Sequence, residues 1–277
     1  MITLEPGRTS ELSGRVRRIV APNPSVMTGP GTNTYLVGRE QVAVIDPGPE
    51  EGSHIEAILA EGAGRIRWIL VTHTHEDHSP AAAALARETG AELWGQVAPE
   101  DELYQDQTFR PDVPFTDGAV LATPEFRLRA IHTPGHAVNH YCVLLEEEGM
   151  LMTGDHIMNG STVVIIPPGG DMKDYLDSLE KLKAYPLQHL APGHGELMPA
   201  PVAVIDGIAA HRLQREAKVV RALAATGGGT LEELVLIAYD DVPTALHMMA
   251  KYSLWAHLIK LVREGRAVDR AGRWAPC

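Results

Sequence analysis

Residues 68–78 read Trp68-Ile69-Leu70-Val71-Thr72-His73-Thr74-His75-Glu76-Asp77-His78. The first four form a short apolar run bounded by polar residues, which predicts a buried strand. Side chains alternate along a strand, so extending it through His75 would send His73 and His75 the same way. A turn would then let Asp77 and His78 aim back at the same region from a helix start, since Ala81–Arg87 is alanine-rich and predicts a helix. Imidazole nitrogen and carboxylate oxygen together suit a borderline divalent ion such as zinc. Four such donors within six residues make two adjacent half-sites rather than one closed tetrahedron.

Further out, three single residues stand in similar settings. His136 ends His132-Thr133-Pro134-Gly135-His136, after the alternating run Phe126–Ala130. Asp155 lies in Thr153-Gly154-Asp155-His156, and His194 in Ala191-Pro192-Gly193-His194-Gly195. Each sits beside glycine, which a loop needs when its backbone passes close to a site while presenting one side chain. Around them, Thr34–Val37 and Val42–Ile45 predict strands, and Ser53–Glu61 a helix with Ser53 as its N-cap. Tyr141–Leu145 and Met150–Thr153 predict a hairpin. Asp171–Lys183 predicts an amphipathic helix burying Met172, Tyr175, Leu176, Leu179 and Leu182. Gln96–Asp117 has little periodicity and is expected to run over the surface. The mixture predicts an α/β fold of two mixed sheets with helices outside.

The pattern changes near Pro199-Ala200-Pro201. Helical runs at Val204–Ala225, Leu231–Ala238 and Ala245–Glu264, followed by a short hairpin ending at Arg273-Trp274, predict a winged-helix-like module. An N-terminal domain over 1–203 and a C-terminal domain over 204–277 follow. A chain of 277 residues has room for both. No apolar run reaches the roughly 18–20 residues of a membrane helix, and no secretory signal opens the chain, so a cytoplasmic protein without a membrane partner is expected. Two cysteines, Cys142 and Cys277, exclude a disulfide framework. The net charge of −12 argues against non-specific nucleic-acid binding by the whole surface. Residues 207–277 carry 10 Lys and Arg against 7 Asp and Glu, leaving 14 against 29 in residues 1–206. Arg212, Arg215, Lys218 and Arg221 recur every three residues and drift around a helix that turns every 3.6, which predicts a solvated face. Double-stranded DNA is therefore not an expected partner.

The set His73, His75, Asp77, His78, His136, Asp155 and His194 resembles the H-x-H-x-D-H, H, D, H pattern of the metallo-β-lactamase superfamily. Within it, Gly31-Thr32-Asn33-Thr34-Tyr35-Leu36-Val37-Gly38, Thr153-Gly154-Asp155-His156-Ile157, His211-Arg212-Leu213-Gln214-Arg215-Glu216 and the winged-helix-like tail resemble the lactamase-β-like protein 2 subfamily. The spacing is also similar to glyoxalase II. The resemblance implies an αββα sandwich. It implies one metal ion on His73, His75 and His136, a second on Asp77, His78 and His194, and Asp155 bridging the two. The cofactors would be two divalent ions, zinc first, with manganese or iron able to use the same donors.

The resemblance further implies a hydrolase that uses a metal-bound hydroxide. Asp77 would be the catalytic residue that orients it and carries a proton. The substrate would be an ester, thioester or phosphodiester, in a small molecule or a short RNA. Three alternatives stand beside this: a glyoxalase II-like thioesterase, a single-stranded RNA endonuclease and, outside enzymes, a metal-dependent nucleic-acid-binding regulator. Asp155 stands where a common class of true β-lactamases has cysteine, and His75 where the di-iron oxygen-reducing relatives have glutamate. Only 18 residues separate His136 from Asp155 and 38 separate Asp155 from His194, which excludes the large insertion of the long RNA-processing relatives. His132, His140 and His156 would orient ligands through outer hydrogen bonds. Asn33, Asn159 and Ser161 are expected on the substrate rim.

Overall fold

The β-branched and aromatic runs of the first 200 residues become strands. The computed structural model describes residues 4–99, 102 and 104–277. Among these, one mixed sheet runs β1 (Thr9–Glu11), β2 (Val16–Val20), β3 (Asn33–Val37), β4 (Val42–Ile45), β5 (Ile66–Leu70), β6 (Glu92–Gly95) and β7 (Val113–Pro114), in that spatial order. A second runs β8 (Val120–Ala122), β9 (Arg127–His132), β10 (Tyr141–Leu145), β11 (Met150–Gly154), β12 (His189–Pro192) and β13 (Met198–Pro199).

Alternation along these strands builds two cores. Tyr35, Val37, Ala43 and Ile45 point inward and pack against Leu128, Ala130, Val143, Leu145 and Met152 of the other sheet. Their neighbours Leu36, Val42 and Val44 point outward and pack with Ile58, Ala81, Ala82 and Leu85. Those last four come from α1 (Gly52–Gly62) and α2 (Ala81–Thr89). β4, β5 and β6 pair in parallel, so each connection must cross over, and α1 and α2 are the crossovers. β11 and β12 are also parallel. Parallel strands finish at a common edge, which is where ligand-binding loops gather in such sheets.

Three local expectations change. Helix α1 begins at Gly52 with Glu51 as N-cap and no side-chain cap bond, so Ser53 lies inside the helix and caps nothing. The segment 96–117 does not simply run over the surface: Phe109 and Phe115 are buried, and Phe109 joins the outer core. The third change is at Arg212, described below.

The chain divides into two compact units. One holds both sheets and comprises residues 1–133, 139–162 and 185–201; the other comprises 134–138, 163–184 and 202–277. The second unit contains α3 (Met172–Leu182), α4 (Pro201–Thr226), α5 (Leu231–Ala238), α6 (His247–Arg263) and a hairpin of β14 (Ala267–Arg270) with β15 (Arg273–Pro276). Asp171 caps α3, its carboxylate accepting from the Lys173 and Asp174 amides at 2.8 and 2.9 Å. Thr230 and Glu233 form a capping box on α5. Val219, Leu223, Leu234, Leu254, Leu258 and Trp274 form the core of this unit. Arg212 is buried instead of solvated: its guanidinium donates to the Val163 carbonyl and lies 5.3 Å from the centre of the Tyr175 ring. Beside it, buried Glu216 accepts from Lys260 and Arg266, each at 2.7 Å. No described helix is long and apolar enough to cross a membrane.

Candidate metal centre

Residues just past β4, β5, β11 and β12 meet at one edge of the sheets. The histidine stretch itself does not continue the strand. β5 ends at Leu70, so strand alternation is not what places His73 and His75. They lie in an irregular loop, where His73 Nε2 and His75 Nδ1 nevertheless come within 2.9 Å. α2 begins only at Ala81, so Asp77 and His78 belong to the turn before the helix and not to its first turn.

His78 is fully buried, and its Nδ1 lies 2.9 Å from Asp46 Oδ2. A carboxylate only accepts, so in the neutral ring Nδ1 carries the hydrogen and Nε2 bares its lone pair. That Nε2 faces Asp155 Oδ1 at 3.3 Å and Asp77 Oδ2 at 3.6 Å. His194 Nε2 lies 3.1 Å from Asp77 Oδ2 and 3.3 Å from Asp155 Oδ1, while its Nδ1 faces the Gly31 carbonyl at 3.3 Å. Asp46 also reaches His73. Thr72 gives its hydroxyl proton to Asp46 Oδ2 at 2.8 Å, so at 3.0 Å it can only accept from His73 Nδ1, which bares Nε2 of that ring too. Ligand atoms of His73, His78 and Asp155 lie within 4.8 Å of one another, and so do those of Asp77, His78 and His194. His78 is shared by both sets. His136 stands in the second unit, where its Nδ1 is 2.9 Å from the Val164 carbonyl, leaving Nε2 as the nitrogen suited to a ligand.

The electrostatics fit a cation. Burial alone would lower His78 and His194. The facing Asp77, Asp155 and Asp46 outweigh it at His78 and hold it well above the ordinary range. Asp155 and the bond to Asp77 push His194 up to about 10. Burial and the neighbouring His78 and His75 keep His73 well below its ordinary value, a neutral donor. Burial would raise both carboxylates, but His78 and His194 hold Asp77 at about 2, and His194 and His78 hold Asp155 well below the ordinary range. The carboxylates are thus ionised and balanced by protons on two imidazoles, protons that a divalent ion would displace.

Two glycines explain the close approach. Gly154 has φ +45, and a Cβ there would lie 2.5 Å from Thr72 Oγ1. A Cβ on Gly193 would lie 2.7 Å from Asp155 Oδ1 and 2.8 Å from His78 Cε1.

The flanking residues divide. His140 is buried, with Nδ1 2.9 Å from Thr133 Oγ1 and its ring 5.0 Å from that of His73 and 5.8 Å from that of His156, which is also buried. His132 sits opposite Tyr141 across β9 and β10, with its ring centre 4.7 Å from that of the tyrosine and tilted by 33°. Asn33 is not on a rim. It is fully buried, and its amide donates to the Pro192 and Gly195 carbonyls at 2.9 Å each, clamping the loop that carries His194. Asn159 and Ser161 are exposed, and Asn159 Oδ1 accepts from the Glu196 amide at 3.3 Å. Sequence reasoning missed Asp46. Its signal is faint: an aspartate just past a strand in Ile45-Asp46-Pro47-Gly48. Its φ of +49 is uncommon for a residue other than glycine and marks backbone held by its surroundings.

Two mixed sheets packed face to face, with histidines and aspartates converging at the ends of parallel strands, define the metallo-β-lactamase fold. The chain belongs to the metallo-beta-lactamase superfamily, whose sequence profile matches residues 27–194, and the profile of the beta-lactamase associated winged helix domain matches residues 230–274. It is 32% identical over 270 residues to a beta-lactamase-like protein 2 homolog of Drosophila melanogaster, covering 93% of this chain and 91% of that one. It is 34% identical over 245 residues to an atrochrysone carboxyl ACP thioesterase of Aspergillus chevalieri, covering 84% of this chain and 75% of that one. A beta-lactamase domain protein of Burkholderia ambifaria has the same fold, with a TM-score of 0.82 at 21% identity over 100% of this chain and 96% of that one.

Proposed function

We propose that this chain is a dinuclear metal-dependent hydrolase acting on a thioester. The observation that carries the reading is the pair of donor sets, His73 with His78 and Asp155, and Asp77 with His78 and His194, converging on adjacent points. In this reading His73, His75 and His136 would hold one ion, Asp77, His78 and His194 would hold the other, and Asp155 would serve both. Divalent ions bound there, zinc by the chemistry of the donors, would supply Lewis acidity toward a water and the scissile carbonyl.

The chain's own residues do the rest. Asp77 is ionised, and its side chain is 27% exposed against 12% for Asp155 and 3% for Asp46. It is the carboxylate placed to orient the attacking water and take its proton. A thiolate leaving group, with a conjugate-acid pKa of about 8.5, departs without a dedicated acid, so Asp77 suffices for proton traffic. The excess of 29 acidic over 14 basic residues in 1–206 disfavours a polyanionic substrate such as RNA. The thioesterase relative supports the same choice.

The test is hydrolysis of an acyl-pantetheine thioester followed by thiol release, beside cleavage of a short single-stranded RNA. Thiol release that stops on chelation and returns with zinc is expected. RNA cleavage without thiol release would replace the thioesterase reading with the nuclease one, and thiol release that survives exhaustive chelation would end the metal-dependent reading.

A further inference from the structure

The loop between β2 and β3 reaches the candidate centre through Thr32, a residue that neither the donor pattern nor the reaction above requires. Thr32 is fully buried. Its amide donates to Asn23 Oδ1 at 2.9 Å, and its Oγ1 lies 2.9 Å from Asn23 Nδ2. The same Oγ1 lies 3.4 Å from Asp77 Oδ2. Proton directions in this chain are forced. A backbone amide only donates, so the Asn23 atom facing it is the carbonyl oxygen. The other Asn23 atom is then the NH2, which donates to the Thr32 hydroxyl. A carboxylate only accepts, so that hydroxyl turns its own proton to Asp77 Oδ2, the oxygen that His194 Nε2 also approaches at 3.1 Å.

The clamp is braced from both sides. Thr28 Oγ1 donates to the Asn23 carbonyl at 2.5 Å, and the Ala21 amide donates to the Thr32 carbonyl at 2.8 Å. Thr32 also forms an isolated β-bridge with His194. The bond to Asp77 is long, and it is the weakest link of an otherwise tight chain.

We propose that Thr32, with its hydroxyl aimed by Asn23, is a positioning residue that holds Asp77 Oδ2 toward the ion shared with His78 and His194. This rests on the metal-binding reading above. Partners that orient a ligand in this way typically change metal affinity or activity ten- to a hundredfold when removed.

Three variants separate this role from packing. Thr32→Val keeps the shape and removes the hydroxyl. Thr32→Ser keeps the hydroxyl. Asn23→Asp still accepts from the Thr32 amide, but its second oxygen cannot donate, so the Thr32 hydroxyl turns to it and away from Asp77. The added negative charge of Asn23→Asp would by itself attract a cation, so a loss of affinity there cannot be a charge effect. Each protein is freed of metal, checked for a native melting transition, and titrated with Co2+, with the visible absorption bands reporting each site as it fills; steady-state turnover is measured separately.

The expected result is a ten- to hundredfold weaker second Co2+ binding step in Thr32→Val and Asn23→Asp, with kcat reduced and KM within about twofold, and recovery in Thr32→Ser. If Thr32→Val does not fold, the other two variants carry the comparison. Wild-type affinity in Asn23→Asp, or a Thr32→Ser as impaired as Thr32→Val, would overturn the proposal while leaving the metallohydrolase reading intact. Failure of the unaltered protein to bind a second Co2+ would overturn both.

Discussion

Replacing Asp46 with asparagine tests how the centre is oriented. Asp46 accepts three hydrogen bonds: the Thr72 amide at 2.8 Å on Oδ1, and the Thr72 hydroxyl at 2.8 Å and His78 Nδ1 at 2.9 Å on Oδ2. Asparagine has the same shape and tolerates the left-handed backbone at this position, so the change isolates proton direction from strain. Its amide has two placements. With the NH2 against Thr72 Oγ1 and His78, it donates to both. His78 Nδ1 must then accept, so its hydrogen moves to Nε2. The Thr72 hydroxyl, no longer drawn to Asp46, donates to His73 Nδ1 and shifts that ring's hydrogen to Nε2 as well. Both nitrogens that face the site are then capped. With the amide reversed, the NH2 meets the Thr72 N–H, donor against donor, in a buried position. Either placement costs about 1–3 kcal/mol, equivalent to a loss of roughly ten- to a hundredfold in metal affinity. Zinc competition against a chromogenic chelator reads the affinity, and metal content after dialysis gives the stoichiometry. Binding of both ions with unchanged affinity by Asp46→Asn would refute the claim that this carboxylate sets the two tautomers.

Two further outcomes follow from the packing. Gly193→Ala places a methyl 2.7 Å from Asp155 Oδ1 and 2.8 Å from His78 Cε1, so the ligands must shift; at least a tenfold loss of zinc affinity is expected by dialysis and metal analysis, and normal metal content would contradict it. Buried His54, whose Nε2 is 2.9 Å from Thr34 Oγ1, is lowered by burial to about 4. It stays neutral in the folded chain while the unfolded chain takes up a proton below about 6.5, so folding stability falls as pH drops from there and levels off below about 4, a loss of about 3 kcal/mol. Urea unfolding across that range should show the slope, and His54→Gln should flatten it; an unchanged slope in the variant would assign the effect to other groups.

The cluster of candidate donors was legible in the sequence and the groups that orient it were not, for a physical reason. His73, His75, Asp77 and His78 are crowded into six residues, and His136, Asp155 and His194 each stand directly after a glycine, a local mark of a close approach whose partners are distant. The strands were legible because alternation is a local pattern, as Leu36 and Val44 on one face and Tyr35 and Ile45 on the other show. Orientation instead comes from bonds between distant residues. Asp46 meets His78 across 32 positions, and Asn33 meets Pro192 across 159. In sequence, Asp46 is indistinguishable from a turn aspartate before Pro47-Gly48, and Asn33 from an exposed amide. Arg212 misled for the same reason, since its partner Val163 is 49 positions away and helix periodicity carries no trace of it. The strand-alternation argument for His73 and His75 reached the right neighbours for the wrong reason: the strand stops at Leu70, and a loop held by Thr72, Asp46 and Gln105 brings the two rings together. A buried polar residue costs stability unless it is bonded, so each such residue near the centre has a required partner. Those partners, and not further donors, determine which nitrogen of each imidazole turns toward the candidate centre.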